Sequence, residues 1–236
     1  VRIDARRVEG VRYPSCSVHV MVPSDTRYFT WLAAAFVRGR MPELAEEADD
    51  GVVIARGLAA GLRLHKFKRN ADLPRVRRVL GALQGIAPTS LLDVGSGRGT
   101  FLWPLLEAFP TLEVTAIDRD PRRAADLDAV TRGGIARLTA RRMDAECLTL
   151  NDDAFDTVTL LEVLEHMSHP ERALAHAVRA ARRFVVVTVP SKEDDNPEHI
   201  HLFDAKALTS LFAAAGASSV RFDYVRGHIL AVASLP

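Results

Sequence analysis

Cysteine is scarce: Cys16 and Cys147 are the only two in 236 residues, so the chain is not a disulfide-stapled miniprotein. Long apolar runs are missing too. The longest, Trp31 to Val37 and Phe184 to Val187, fall far short of the ~20 residues that a membrane-spanning helix requires. No apolar signal-peptide core accompanies the arginines that run up to Arg12, and we read the chain as cytoplasmic and reduced, with no membrane role. An excess of one charge sign is also absent, the formal net charge being +1. What is present, 48% hydrophobic and 26% charged residues, is ordinary for a globular protein and excludes disorder and collagen. A chain this long buries roughly 70% of its unfolded surface, enough for one full α/β domain and a smaller appendage.

The near-zero net charge hides an asymmetry. Residues 1–90 carry 15 Lys/Arg against 9 Asp/Glu, whereas 91–236 carry 16 against 21. Arg63, Lys66, Lys68, Arg69, Arg75, Arg77 and Arg78 form a basic run that could contact phosphates or serve as a solvated helix face. Patterning divides the chain at residue 72. Residues 1–71 read as a mainly helical cap or accessory segment, irregular to about Pro23, with helix-like stretches at Asp25–Arg38 and Glu43–Leu64. A third, Asp72–Leu83, has Asp72 as N-cap ahead of Pro74 and leads into a domain over 72–236. Tyr28, Phe29, Trp31 and Phe36 cluster on one segment, as core or as a substrate wall.

From Ser90 onward short apolar runs alternate with helical periods. Leu91–Val94, Val114–Ile117, Thr157–Leu161 and Phe184–Val189 read as strands. Thr100–Phe109, Arg122–Thr131, Pro170–Ala180 and Ala205–Ala215 read as helices between them. Such alternation predicts a parallel sheet covered by helices on both faces. At the end, Val220–Val225 and Ile229–Ala233 flank Gly227 too closely for a crossover helix, so the last strand is expected antiparallel to its neighbour.

Leu91-Leu92-Asp93-Val94-Gly95-Ser96-Gly97-Arg98-Gly99-Thr100 is a buried strand running into a glycine turn and then a helix. Without Cβ atoms the turn can press on a ligand and present N–H groups to it. The spacing is G-x-G-x-G, not the G-x-G-x-x-G of dinucleotide sites, and no G-K-[ST] triplet follows, which argues against a nicotinamide, a flavin or a P-loop nucleotide. Asp118 lies 19 residues beyond Gly99 at the end of the second strand, where a carboxylate can accept both ribose hydroxyls of a nucleoside. Asp144 follows the third strand, where it can accept from an exocyclic amine. Ligands of open α/β folds bind at this carboxyl edge.

Asp93 to Gly99, Asp118, Asp144-Ala145 and Leu161-Glu162-Val163-Leu164-Glu165-His166 together resemble the successive motifs of class I S-adenosylmethionine-dependent methyltransferases, over about Leu80 to the C-terminus. The resemblance implies a Rossmann-like, seven-stranded α/β sheet with the last strand antiparallel. It also implies S-adenosylmethionine as cofactor. Gly95 and Gly97 would lie under its methionine part with Asp93 near the amino group, Asp118 on the ribose, and Asp144 with the Ala145 N–H on the adenine. Ser96, Gly99, Arg119 and Glu162 complete the expected cofactor set.

Methyl transfer from a sulfonium needs proximity, alignment and a deprotonated nucleophile. Four of the eight histidines, His166, His169, His199 and His201, fall in two loops that open on the same sheet edge. One reading makes His166 or His201 the general base for a hydroxyl or amine acceptor. Another makes Glu162, Glu165, His166 and His201 ligands of Mg²⁺ or Mn²⁺, lowering the pKa of a coordinated hydroxyl. Glu162-x-x-Glu165-His166 resembles the metal motif of methyltransferases that modify the 3′-terminal ribose of small RNAs, and also a Glu-rich segment of ubiquinone-pathway O-methyltransferases. His201-Leu202-Phe203-Asp204 fits the later part of the RNA motif, although Ala205 replaces its tryptophan. Many small-molecule methyltransferases share Glu-Val-Leu-Glu-His without a metal. The loop Ser191–Pro197 could close over the acceptor or simply be a solvated acidic loop. His19, His65 and His228 carry no spacing signal.

The expected function is methylation of oxygen or nitrogen of a small metabolite. The alternatives are metal-assisted 2′-O-methylation of RNA and a catalytically silent cofactor-binding partner subunit, and a homodimer is compatible with each.

Overall fold

The computed structural model describes residues 27–69, 73–193 and 195–236. Among the described residues seven strands form one sheet: β1 Ser90–Val94, β2 Glu113–Asp118, β3 Leu138–Arg142, β4 Phe155–Leu161, β5 Ala181–Pro190, β6 Ser219–Val225 and β7 His228–Ser234. Their spatial order is β3-β2-β1-β4-β5-β7-β6. The first five strands pair in parallel, and β7 runs antiparallel between β5 and β6. The reversal follows from connection length, because Arg226 and Gly227 alone join β6 to β7 and can close only a hairpin. The expected sheet, with its last strand antiparallel, is the one observed.

Between β1 and β4 the strand order switches direction, and this is where open α/β sheets bind ligands. The glycine loop leaves β1 on one side of the switch, and Glu162 follows β4 on the other.

The helices are α1 Thr30–Arg40, α2 Asp50–Ala59, α3 Pro74–Ile86, α4 Leu102–Ala108, α5 Pro121–Arg132, α6 Pro170–Ala180 and α7 Ala205–Ala214. Neighbouring strand residues such as Leu91 and Leu92 point to opposite faces, and each face has its own apolar core. One core joins the sheet to α1–α5, the other to α6 and α7. Helix α1 approaches α5 to backbone contact: a Cβ on Gly39 would overlap the Ala129 carbonyl oxygen, and one on Gly133 would overlap that of Ala35.

Helices α1 and α2 are shorter than the sequence predicts. The stretch expected at Glu43–Leu64 breaks into a 3-10 turn at Pro42–Leu44 and then α2. Asp49, whose side chain accepts from the Gly51 and Val52 N–H groups, starts α2. Asp72, the expected N-cap of α3, lies outside the described residues, and the helix begins at Pro74 with no side-chain cap at Leu73. Phe29 and Phe36 are core residues; the ring of Phe36 lies 5.4 Å from that of Phe67, which lies 5.2 Å from Trp103.

The basic run is largely used internally. Lys66 pairs with Asp126, Arg78 with Asp223, Arg75 with Glu162 at 3.8 Å and Arg69 with Glu107 at 2.5 Å. These pairs fasten the segment to the sheet domain, each with a modest contribution because most of the partners are part-exposed.

Candidate active site

The glycine loop is shaped by the strand beside it. The Gly95 and Ser96 N–H groups donate to the Ile117 carbonyl oxygen at 2.9 and 3.1 Å. The Gly97 N–H donates to Asp118 Oδ2 at 2.9 Å, and Asp118 Oδ1 accepts from the Asp120 N–H at 2.9 Å. Asp118 is buried, with Arg123 at 3.7 Å. It therefore braces the loop as well as facing the cleft, and each carboxylate oxygen keeps a further lone pair for a ligand hydroxyl.

The loop and the ends of β2 and β4 enclose a cleft of about 570 Å³, lined among others by Gly95, Gly97, Asp118, Arg119, Ala145 and Glu162. That volume suits a nucleoside-sized ligand. Beside it lies a smaller cavity of about 150 Å³, where Asp93, Ser96, Thr100, Glu162 and Thr188 meet Arg75 of α3. Asp93 is 2% exposed. Its Oδ1 accepts from Thr159 Oγ1 at 2.8 Å, while the buried Oδ2 has no hydrogen-bond partner. Burial raises its pKa to about 6, against the nearby Ser96 and Thr159 hydroxyls, which lower it. An unmatched carboxylate oxygen of this kind calls for a cationic donor.

The three glycines of the turn have different tasks. All have positive φ, at 72°, 58° and 84° for Gly95, Gly97 and Gly99. A Cβ on Gly97 would meet nothing nearer than the Gly95 oxygen at 3.8 Å, so its bareness leaves room for a ligand. Gly99 lines neither cavity. A Cβ there would overlap the Trp103 ring, whose Nε1–H donates to the Lys66 carbonyl at 3.0 Å. Gly99 is a packing residue where a cofactor contact was expected.

Asp144 is also placed differently from expectation. Exposed, it accepts from the Glu146 N–H at 2.9 Å and caps the short turn Ala145–Cys147, while Met143 and Ala145, not Asp144, line the cleft. Ser96 lines the smaller cavity and its Oγ donates to the Asp93 carbonyl at 3.1 Å.

The four residues expected to share a metal do not assemble. Glu162 turns toward β5 and β7: its Oε1 accepts from Thr188 Oγ1 at 2.8 Å and its Oε2 lies 3.0 Å from His228 Nε2. His201 Nε2–H donates to the Met167 carbonyl at 2.9 Å, and the ring does not line the cleft. Among the described residues the side chains close enough to share an ion are Glu165, His166 and His199, with ligand atoms within 4.8 Å of one another. A two-residue offset along an irregular loop exchanges His201 for His199, which spacing cannot foresee.

Of the two expected bases, His166 alone lines the cleft. Its Nδ1 is 2.9 Å from the Glu198 carbonyl oxygen, which can only accept, so Nδ1 carries a proton. The loop after β5 is stitched down here, since the Glu165 carbonyl accepts from the Ile200 and His201 N–H groups at 2.9 and 3.3 Å. Of the residues read as a closing loop, Asp194 lies outside the described residues.

Arg75, Thr188 and His228 were not singled out as site residues from sequence. Arg75 was hidden in the basic run. His228 carries no motif, and only the hairpin topology, which returns β7 beside β5 with His228 paired to Pro190, brings it to the carboxyl edge.

Comparison with known proteins agrees with this geometry. A family model described as a methyltransferase domain matches residues 63–221. Malonyl-[acyl-carrier protein] O-methyltransferase of Geobacter sulfurreducens is 30% identical over 109 residues, covering 44% of this chain and 39% of that protein. Demethylmenaquinone methyltransferase of Renibacterium salmoninarum is 29% identical over 113 residues, covering 45% and 42%. The chain thus spans about two-fifths of the length of these curated relatives. In fold it matches magnesium protoporphyrin IX methyltransferase of Synechocystis, solved with bound SAH, at a TM-score of 0.56 and 16% identity over 69% of this chain and 83% of that one. No helix of the described residues is long and apolar enough to cross a membrane. With the glycine cradle, the acid that ends β2 and the matched residues in agreement, the chain belongs to the methyltransferase-domain family, within the class I S-adenosylmethionine-dependent superfamily.

Proposed function

We propose that the protein transfers the methyl group of S-adenosylmethionine to an oxygen or nitrogen of a small-molecule acceptor. The observation that carries this reading is the smaller cavity, where the unmatched Asp93 Oδ2 and the Arg75 guanidinium offer opposite charges to a zwitterionic amino-acid head. Asp93 receives the ammonium and Arg75 the carboxylate. Gly95 and Gly97 lie under the chain that joins this head to the nucleoside, Asp118 takes the ribose hydroxyls, and Met143 and Ala145 wall the adenine. The bound cofactor supplies an electrophilic methyl on a sulfonium.

His166 is the base in this reading. Because Nδ1–H is committed to Glu198, the free Nε2 lone pair is the one available to an acceptor hydroxyl or amine. The malonyl-carrier and demethylmenaquinone relatives and the porphyrin methyltransferase act on varied acceptors, in keeping with a recognisable cofactor half and a variable acceptor half.

The test separates head from nucleoside. Wild-type protein is expected to bind S-adenosylhomocysteine at least about tenfold more tightly than methylthioadenosine, which lacks the amino-acid head, and Arg75→Met should erase most of that gap. Equal affinity of wild-type protein for the two ligands would overturn the assignment.

A second reading, ion-assisted transfer, is favoured by the Glu165, His166 and His199 group. Those three would be the ligands and would lower the pKa of an acceptor hydroxyl. In a calorimetric titration with Mn²⁺, binding should be lost in His199→Ala and retained in His201→Ala. Binding that survives both substitutions sinks this reading.

A further inference from the structure

Among the described residues, Glu162 is the one with a side chain that lines both cavities; the others shared are Gly95 and Gly97. On the proposed reading the cofactor extends from the small cavity to the large one, and the sulfonium joins its amino-acid part to its ribose. That atom therefore lies at the junction, beside Glu162.

The carboxylate is held there firmly. Glu162 has a left-handed backbone, φ 58°, uncommon for a residue other than glycine. Its N–H donates to the Thr188 carbonyl at 2.9 Å and its Oε1 accepts from the Thr188 hydroxyl at 2.8 Å, which fixes both ends of the residue to β5. Strained backbone that the surroundings over-determine is a feature of functional sites. Two side chains approach Oε2: His228 Nε2 from β7 at 3.0 Å and Arg75 Nε from α3 at 3.8 Å.

His228 is specially placed for this. Its Nδ1 lies 3.2 Å from the Arg226 carbonyl oxygen. Both ring nitrogens thus face oxygens, and a carbonyl and an ionised carboxylate can only accept. The ring serves both at once only with both nitrogens protonated, as a cation. In that doubly protonated form His228 offsets part of the negative charge that Glu162 presents at the junction.

We infer that Glu162 is the group by which this protein distinguishes the cationic cofactor from its neutral thioether product, and that His228 is a positioning residue that orients the carboxylate and sets how much charge it presents. A carboxylate beside the reacting centre attracts a sulfonium and gains nothing from a thioether, which favours product release after each transfer. Without His228 the carboxylate would hold the charged cofactor more tightly. The pair connects the β6–β7 hairpin, remote in sequence from the glycine loop, to the cofactor junction.

The inference rests on the proposed cofactor reading, and binding alone tests it without an identified acceptor. Affinities for S-adenosylhomocysteine and for sinefungin, in which an ammonium group replaces the methylated sulfonium, would be measured by calorimetry at neutral pH. Wild-type protein should prefer sinefungin. Glu162→Gln, which keeps the Thr188 hydrogen bond, should reduce that preference about fivefold or more, because a charge at contact distance is lost. His228→Gln, which keeps a donor toward Glu162 but not the positive charge, should increase it. A purely structural role would change both affinities together and leave their ratio alone. An unchanged ratio in Glu162→Gln, or a ratio that does not rise in His228→Gln, overturns the inference. Failure of wild-type protein to bind either ligand overturns the cofactor reading instead.

Discussion

Gly99→Ala should destabilise the protein by about 3–5 kcal/mol, since overpacking and a left-handed non-glycine backbone each carry a cost. The new Cβ would overlap the Trp103 ring at a backbone φ of 84°. Trp103 is buried, its ring packs on Phe67, and its indole N–H holds the Lys66 carbonyl, so the displacement spreads into the segment before α3. Gly97→Ala should behave differently. Its Cβ has room, at 3.8 Å from the nearest atom, so the melting temperature should fall far less. The loss should appear in S-adenosylhomocysteine affinity, because the methyl fills the surface under the ligand. Thermal melts and calorimetry on both variants check the pair, and similar melting temperatures for the two would contradict it.

Affinity for S-adenosylhomocysteine should fall about tenfold per pH unit below about pH 6 and level off above it. The cause is Asp93, whose carboxyl is raised by burial from its usual value near 3.8 to about 6. In unliganded protein the folded state holds this proton more tightly than the unfolded chain. Stability from this group is therefore greatest below the unfolded value and is lost as pH rises from about 4 to about 6, an effect on the order of 3 kcal/mol when complete. A ligand ammonium supplies the missing partner for Oδ2 and reverses the effect. Asp93→Asn should accordingly melt higher than wild-type protein at pH 8 without ligand, lose the pH dependence of binding, and bind weakly throughout. A wild-type affinity that does not vary between pH 5 and pH 7 would show that Asp93 does not meet the ammonium.

The parts of the site that were legible in the sequence are those built by consecutive residues. Strand β1 and the glycine turn form one local unit, and Asp118 ends β2 just where the apolar run predicts. Hence Asp118, Gly95, Gly97, Arg119 and Ala145 all line the cleft. The limit shows within the same motif, for Gly97 and Gly99 look alike in sequence and only the position of Trp103 separates them. The histidine loops show it again. His199 and His201 differ by two residues, yet the chain path sends one ring toward Glu165 and the other to the Met167 carbonyl. The basic run resembles a phosphate-contacting surface until its partners Asp126, Glu107, Glu162 and Asp223, all remote in sequence, come into view.

Periodicity and turn chemistry are local, so the sequence by itself determined the alternating strands and helices, the antiparallel end of the sheet, and the glycine turn with Asp118 at its carboxyl edge. Charge pairing and packing depend on which distant segments meet. Only the tertiary structure could leave Asp93 Oδ2 without a partner, bring Arg75 to the same cavity, and bring His228 to Glu162. Each of these depends on residues that no local spacing relates.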